Sequence, residues 1–517
     1  MKTVLMGMAA ALAFAAPGLA RETAAPERAT IEVHGDTPGA TIDRHIFGQF
    51  AEHLGHGIYG GIWVGPDSKI PNTDGYRNDV LAALKELHVP VVRWPGGCFA
   101  DEYHWRDGVG PRSRRPVKVN TNWGGVTEPN TFGTNEFMNF AEMIGADAYV
   151  STNVGSGTPG EMQSWIEYMT APAGTLADER AANGRKAPWK LAYVGLGNEL
   201  WGCGGQMRPE YAADLTRRYG QFVKVPAGEH VMKMASGPNG PDTNWMEVMM
   251  REAGDRIDGI GLHYYTVPHS WGHKGSATKF DEAEYALTLA KTMKMEELIT
   301  RHSAIMDKYD PKKRVALAVD EWGTWYDVEP GTNPGFLYQQ NSLRDAMVAA
   351  LNIGIFIKHA DRVRMANIAQ MVNVLQAMLL TDGPKMVRTP TYWVFDMMKP
   401  FQDATALPVT LDGPSYTAGD SMVPAVSAVA ARDKGGVVHV ALTNVDPHRA
   451  VTVSAKLDGV AAARASGTIL TAPTVQSYND FDHPDVVKPA AFSGASVAGD
   501  TLTVTLPAKS IVVLAVK

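Results

Sequence analysis

The sequence predicts an α/β chain, a (β/α)8 TIM barrel with a C-terminal antiparallel β-sandwich domain. Three observations carry that expectation. From about residue 45 to about residue 400, short apolar runs of strand length alternate with longer stretches of helical period. Eight such strands and eight such helices follow one another, which is the arithmetic of a closed parallel barrel. After residue 402 the apolar period shortens to two, with Gly, Asp and Pro between the runs, as in antiparallel sheets. An open doubly wound sheet competes, because periodicity alone does not close a sheet. The strand count favours the barrel.

In chain order the expected strands are His45–Glu52, Val89–Trp94, Ala146–Val154, Leu191–Glu199, Val231–Gly237, Ile257–Tyr265, Val315–Trp322 and Val363–Val372. Each is a brief apolar run between polar turns. The helices are Tyr76–Leu87, Asn135–Ile144, Pro159–Met169, Arg208–Phe222, Asp242–Ala253, Glu282–Tyr309, Asn341–His359 and Pro390–Phe401. In the longest, Met295, Leu298, Ile299, His302 and Ile305 share one face. Beyond the barrel, Gly436–Asn444, Ala450–Leu457, Thr501–Leu506 and Ser510–Val516 alternate apolar and polar residues. Residues 29–35 alternate too.

The organisation expected from these patterns has four parts: 1–20 a signal peptide, 21–44 a linker and an N-terminal strand joining the sandwich, 45–401 the barrel, and 402–517 the sandwich. The first segment has Lys2, an apolar run from Val4 to Ala16 and a small-x-small site at Gly18 and Ala20. That run is too short to span a bilayer. The expectation is cleavage near Ala20 and a periplasmic or secreted protein, with no membrane association afterwards.

Of the 517 residues, 45% are hydrophobic and 20% charged, which excludes disorder for most of the chain. The net charge of −7 includes no basic excess, so no nucleic-acid partner is expected. Two cysteines exclude a disulfide framework and a zinc ribbon.

In a barrel of this kind, chemistry gathers at the C-terminal strand ends. Six of the eight expected strands finish in polar or ionisable residues. They end in Glu52-His53, in Arg93 to Cys98, in Gly197-Asn198-Glu199, in His263-Tyr264-Tyr265, in Asp320-Glu321-Trp322, and in the stretch carrying Asn373 and Gln376. Unpartnered buried charges cost too much to collect there without use. Glu199 and Glu321, on the fourth and seventh strands, face each other across the barrel mouth. Such a carboxylate pair serves glycoside hydrolysis, with one group attacking the anomeric carbon and the other handling the proton. Trp63, Trp94, Trp105, Trp123, Trp201, Trp322 and Trp325 lie at or just after strand ends, and two or three are expected to pack against sugar.

The segments RWPGGCFADEYHWRDGVGPRSRRP (93–116), YVGLGNELWGCGGQM (193–207), GLHYYTVP (261–268) and VDEWGTWY (319–326) resemble glycoside hydrolase family 51, the α-L-arabinofuranosidases of the retaining barrel clan. The likeness runs from about Ile46 to Phe401. It implies that Glu199 is the acid/base and Glu321 the nucleophile. Asn198 would bond the sugar 2-hydroxyl, Glu52 the outer hydroxyls, and Arg93 would hold Glu321 charged. His263 and Tyr265 would orient the two carboxylates, and Gln376 would touch the sugar. Cys98 stands where some members have Asn, and a thiol is a weak donor. The implied substrate is an arabinose-containing oligo- or polysaccharide such as arabinan or arabinoxylan, without a cofactor. The implied assembly is a trimer or hexamer. Rival readings are a same-clan hydrolase of β-1,4-glucan or xylan, and a non-catalytic carbohydrate-binding protein.

Three other features have structural readings. Tyr264 alternates away from His263 and Tyr265 and is expected to pack. Gly155 to Gly160 fits the dinucleotide fingerprint, yet lies in the third unit of a longer alternation and reads as a tight turn with Pro159 opening a helix. His53 and His56, or His269 and His273, lack a ligand complement at zinc-like spacing, so no catalytic metal is expected. Cys98 and Cys203 are compatible with either a disulfide or two buried thiols.

Overall fold

A computed structural model describes residues 27–517. The expected signal peptide lies outside the described residues. Eight parallel strands close into a barrel: Gly48–Phe50, Val91–Trp94, Asp147–Thr152, Tyr193–Leu196, Met232–Ala235, Gly259–Thr266, Ala316–Thr324 and Val363–Ala369, the eighth pairing back to the first.

The strands bury alternate residues on two sides, as their period of two requires. On the second strand Val92 and Trp94 face outward into the large core shared with the helices, while Val91 and Arg93 face the lumen. Val91, Tyr149, Met234, Ala318 and Met365 fill the lumen with an apolar layer. Above it come Arg93, Ser151 and Asp320, so the lumen turns polar toward the C-terminal mouth.

Most expected elements are present with slightly shorter ends. The first strand is only three residues long, because Arg44–Phe47 forms a 3-10 turn capped by the Asp43 side chain. The long helix divides at Met293 into Glu282–Thr292 and Lys294–Tyr309. Thr288 and Thr292 each donate a hydroxyl hydrogen bond to the carbonyl four residues back, at 2.7 and 2.9 Å, an arrangement that bends helices. A short helix over Thr175–Ala182 was not expected; its weak apolar pattern gave no signal.

The C-terminal strands form two facing sheets over a separate apolar core. One orders as Val409–Asp412, Glu27–His34, Val451–Asp458, Thr501–Leu506 and Ala495–Ala498. The strand Glu27–His34 precedes the barrel in sequence, and runs parallel to Val451–Asp458. The other orders as Thr405–Leu407, Val426–Arg432, Val438–Asn444, Ser510–Val516, Ala465–Thr471 and Ala490–Phe492. This unit also finishes a barrel helix. Leu343 and Arg344, which open the helix Leu343–Lys358, donate their backbone N–H groups to Ser477 and Val475 carbonyls at 2.9 and 3.1 Å. Those donors have no partner within their own helix. No helix among the described residues is long and apolar enough to cross a membrane.

Candidate active site

The mouth of the barrel brings together Glu52, Arg93, Asn198, Glu199, His263, Tyr265 and Glu321. Arg93 is the hub. Its Nη1 donates to Glu321 Oε1 at 2.6 Å, its Nη2 to Asn198 Oδ1 at 2.6 Å and its Nε to Ser151 Oγ at 3.2 Å. The guanidinium lies over the Phe50 ring at 4.6 Å. A planar donor fork with three fixed acceptors leaves Glu321 and Asn198 little freedom.

Glu321 has a second donor on its other oxygen, Tyr265 Oη at 2.8 Å. Burial and the Glu321 charge push the Tyr265 phenol well up, which keeps it a hydrogen-bond donor. Glu199 differs in its company. Its Oε1 lies 2.9 Å from His263 Nδ1. Burial raises its pKa, His263 opposes that, and the Glu321 charge adds to the rise. One oxygen of Glu199, one of Glu321 and a His263 ring nitrogen all lie within 4.8 Å of one another.

His263 faces four charged groups. Besides Glu199 it has Asp320 Oδ1 at 3.2 Å from Nε2 and Glu321 Oε2 at 3.5 Å from Nδ1, with Arg93 behind them. Burial lowers its pKa, but the Glu321 charge and the bonds to Asp320 and Glu199 outweigh it and raise the pKa to about 10. As an imidazolium it donates to Glu199 and is paired by charge with Asp320.

Glu52 is 2% exposed. Its Oε1 accepts from Gly97 N at 2.9 Å and Phe99 N at 3.1 Å, and its Oε2 from Gln370 Nε2 at 3.2 Å. Burial, then the Glu321 charge, raises its pKa to about 7. The two glycines of the WPGG turn are required by this crowding. A Cβ on Gly96 would meet Glu52 Cγ at 2.5 Å, and one on Gly97 would meet Glu321 Oε1 at 2.8 Å.

Two expectations are corrected. Gln376 does not reach the site. Its Oε1 accepts from Thr324 N at 2.9 Å and its Nε2 donates to Asp345 O and Thr391 Oγ1, at 2.8 and 3.2 Å, so its amide is consumed by the barrel wall. Gln370, just past the eighth strand, takes the place at the site through Glu52. Cys98 offers no thiol, because it is joined to Cys203 in a disulfide between the second and fourth loops. Cys203 Sγ also lies 3.7 Å from Glu199 Oε2 and 3.8 Å from Asn198 Nδ2.

Asp101 was not singled out by the sequence. Its Oδ1 accepts from Val154 N and Gly155 N at 2.7 and 2.8 Å, and its Oδ2 from Asn198 N at 2.7 Å. It therefore ties the second, third and fourth loops, and burial raises its pKa to about 7. Its one signal was a carboxylate directly after the apolar pair Phe99-Ala100. Tyr264 packs as expected, its hydroxyl on Lys291 O at 2.7 Å. The Gly155–Gly160 stretch is a turn, with Asn153 Oδ1 accepting from Ser156 N and Gly157 N, and Pro159 opens the helix Pro159–Thr170. His53 is taken up by Glu128 and Trp94. Trp63, Trp94, Trp105 and Trp322 are buried, whereas Trp123, Trp201 and Trp325 keep exposed surface near the mouth.

A closed parallel barrel whose mouth holds two nearby, differently partnered carboxylates belongs to the class of glycoside hydrolases. Residues 83–284 match the family model for the α-L-arabinofuranosidase 1 domain, and residues 320–510 that for the α-L-arabinofuranosidase C-terminal domain. An intracellular exo-α-L-arabinofuranosidase of Bacteroides ovatus is 53% identical over 95% of this chain and 96% of its own. The α-L-arabinofuranosidase C of Emericella nidulans is 32% identical over 83% of this chain and 87% of its own. Among solved structures, the family 51 arabinofuranosidase of Xanthomonas axonopodis pv. citri superposes with a TM-score of 0.94 at 60% identity, covering 95% of this chain and 100% of that one. The chain belongs to the α-L-arabinofuranosidases of glycoside hydrolase family 51. The Bacteroides ovatus relative also overturns the expected periplasmic or secreted location, since it matches nearly end to end and is named intracellular. The apolar run that carried that expectation lies outside the described residues.

Proposed function

We propose that the enzyme releases terminal α-L-arabinofuranosyl residues from arabinan, arabinoxylan or their oligosaccharides by double displacement. Glu321 is the nucleophile and Glu199 the acid/base. One observation carries this reading: the two carboxylates approach within 4.8 Å, with a fixed cation on one and a raised pKa on the other. Carboxylates of retaining enzymes stand about 5–5.5 Å apart, and wider gaps admit the water of an inverting one.

In the first step Glu321 forms a bond to the anomeric carbon, the glycosidic C–O bond breaks, and the Glu199 proton passes to the leaving oxygen. In the second, water attacks the same carbon, Glu199 takes its proton, and the ester to Glu321 breaks. Arg93 and Tyr265 keep the Glu321 oxygens aimed, while Asn198 and Glu52 are placed to bind sugar hydroxyls. His263 donates to Glu199 throughout. Assembly as a trimer or hexamer belongs to the same reading.

Proton NMR during hydrolysis of 4-nitrophenyl α-L-arabinofuranoside tests it. The expected first product is α-arabinofuranose, before mutarotation. Early β-product would overturn double displacement. No turnover here, with cleavage of β-1,4-glucan or xylan, would favour the rival substrates.

A further inference from the structure

Along the seventh barrel strand, Ala316–Thr324, the alternation of facing breaks at one point. Leu317, Val319 and Trp322 join the outer core, and Ala318 the lumen. Asp320 and Glu321 then both turn inward, where Arg93 meets each of them. A regular period of two would send consecutive residues to opposite sides. The pairing gives the reason. Toward the sixth strand, Gly261 pairs with Ala318 and His263 with Glu321; toward the eighth, Val319 pairs with Ala366 and Trp322 with Ile368. On both sides the seventh strand carries one residue more than its neighbour, which is a β-bulge. Bulges re-aim side chains, and this one sets a second carboxylate behind Glu321.

Asp320 is buried. Its Oδ2 accepts from Tyr149 Oη at 3.0 Å and lies 3.9 Å from Arg93 Nε, and its Oδ1 lies 3.2 Å from His263 Nε2. A Cβ on Gly261 would meet that Oδ1 at 2.6 Å, so the glycine makes room for it. The charges here pair off. Arg93 holds Glu321 at 2.6 Å, and Glu321 stands 3.5 Å from His263, so the nearer anion for the His263 Nε2 side is Asp320. With Glu199 protonated, two cations face two anions. An imidazolium presents N–H on both nitrogens, whereas a neutral ring keeps one, and its neighbours decide which.

We propose that Asp320 is a positioning residue for the glycosidase reaction: it keeps the His263 Nδ1–H directed at Glu199, and so sets the acid/base without meeting sugar itself. The proposal rests on Glu199 and Glu321 being the acid/base and the nucleophile. In the first step Glu199 gives up its proton and becomes an anion beside His263, and the ring charge that Asp320 sustains stabilises that anion. The charged and titratable groups around the ring are Glu199 from the fourth strand, Asp320 and Glu321 from the seventh and Arg93 from the second, with Tyr149 of the third acting through Asp320.

The test compares Asp320→Asn with the unaltered enzyme on 4-nitrophenyl α-L-arabinofuranoside and on arabino-oligosaccharides. The wild-type rate on the aryl substrate is read first, and its absence would overturn the carboxylate reading and this role with it. With that rate present, Asp320→Asn should lower kcat/KM on the oligosaccharides about 10- to 100-fold, the worth of one interaction with a charged group. On the aryl substrate the loss should stay under about threefold, because that leaving group needs little protonation. Nitrogen-15 NMR of histidine-labelled enzyme, assigned with His263→Gln, supplies a readout that a loss of packing would not move. At about pH 8, above the ordinary histidine range, His263 should carry protons on both ring nitrogens in the wild type and on one in Asp320→Asn. If Asp320→Asn does not fold, Tyr149→Phe carries the test: it removes one hydrogen bond from Asp320 and should cost about threefold, on the oligosaccharides alone. An equal loss on both substrates, an unchanged rate on the oligosaccharides, or a wild-type His263 that is neutral at that pH would overturn the proposal.

Discussion

The imidazole of His263 meets the carboxyl of Glu199 at 2.9 Å, while its other ring nitrogen is held by Asp320 at 3.2 Å. This ring fixes Glu199 and at the same time opposes the pKa rise that burial and Glu321 impose on it. Glu321 lies farther from that ring, at 3.5 Å, and its closer partners are Arg93 and Tyr265. Two chemically identical side chains are thereby assigned different work by their neighbours.

A general acid acts only while protonated, so kcat/KM on natural glycosides should fall as pH rises through the raised Glu199 pKa. Glu199→Gln should remove that basic limb and lower kcat/KM on arabino-oligosaccharides by about 10²- to 10⁴-fold. The 4-nitrophenyl substrate needs little protonation of its leaving group, and its kcat/KM should fall far less. pH–rate profiles on the two substrate types check both statements.

Glu52 links stability to pH. Its pKa rises from 4.5 unfolded to about 7 folded, so between those values the folded chain binds more protons than the unfolded one. Stability should therefore fall as pH rises from about 4.5 to about 7. Asp101 acts in the same direction, up to about 7. His263, raised to about 10, contributes stability below 6.5 that is lost through about 10, a separate window. Glu52→Gln should make Tm less dependent on pH between 4.5 and 7 without abolishing the slope. Thermal unfolding across that range is the measurement.

Gln370 and Gln376 should separate in kinetics. Gln370→Ala removes a donor from Glu52, and KM should rise about tenfold, the worth of one hydrogen bond to a charged group. Gln376→Ala leaves Thr324 N unpaired in a buried wall and should cost about 1–3 kcal/mol of stability. KM of the folded Gln376→Ala enzyme should stay at the wild-type value. Steady-state kinetics beside thermal unfolding distinguishes the two.

The Cys98–Cys203 bridge spans a sequence separation of 105 residues. The double variant Cys98→Ser, Cys203→Ser should lose about 2–4 kcal/mol of stability, because the unfolded chain regains the freedom of a long loop. Its kcat should fall as well, since Cys203 neighbours Asn198 and Glu199. Unfolding and turnover of the double variant, with the unaltered enzyme in reductant as the parallel sample, measure both effects.

Much of the site was legible because six of the eight expected barrel strands are apolar runs that end in polar groups, and Glu52, Arg93, Asn198, Glu199, His263, Tyr265 and Glu321 all come together where those ends meet. What escaped lies where the period breaks down. The eighth strand stops at Ala369, and Asn373 and Leu375 then take left-handed backbone conformations, with φ of 61° and 50°. Alternation no longer tells which way a side chain points there, so Gln376 looked like a site residue and Gln370 was overlooked. Asp101 sits in a loop, where spacing carries no facing information. Location was misread from one apolar N-terminal run, against which stands a relative named intracellular.

The proposed mechanism requires that Glu321 form the bond to sugar. Glu199→Ala should slow release of that intermediate, and rapid quenching with 4-nitrophenyl α-L-arabinofuranoside followed by peptide mass spectrometry reads where the sugar sits. The expected result is one anhydropentose on the peptide containing Glu321, absent from Glu321→Gln. Turnover with no covalent adduct at any time, or an adduct on another carboxylate such as Glu52, would contradict it.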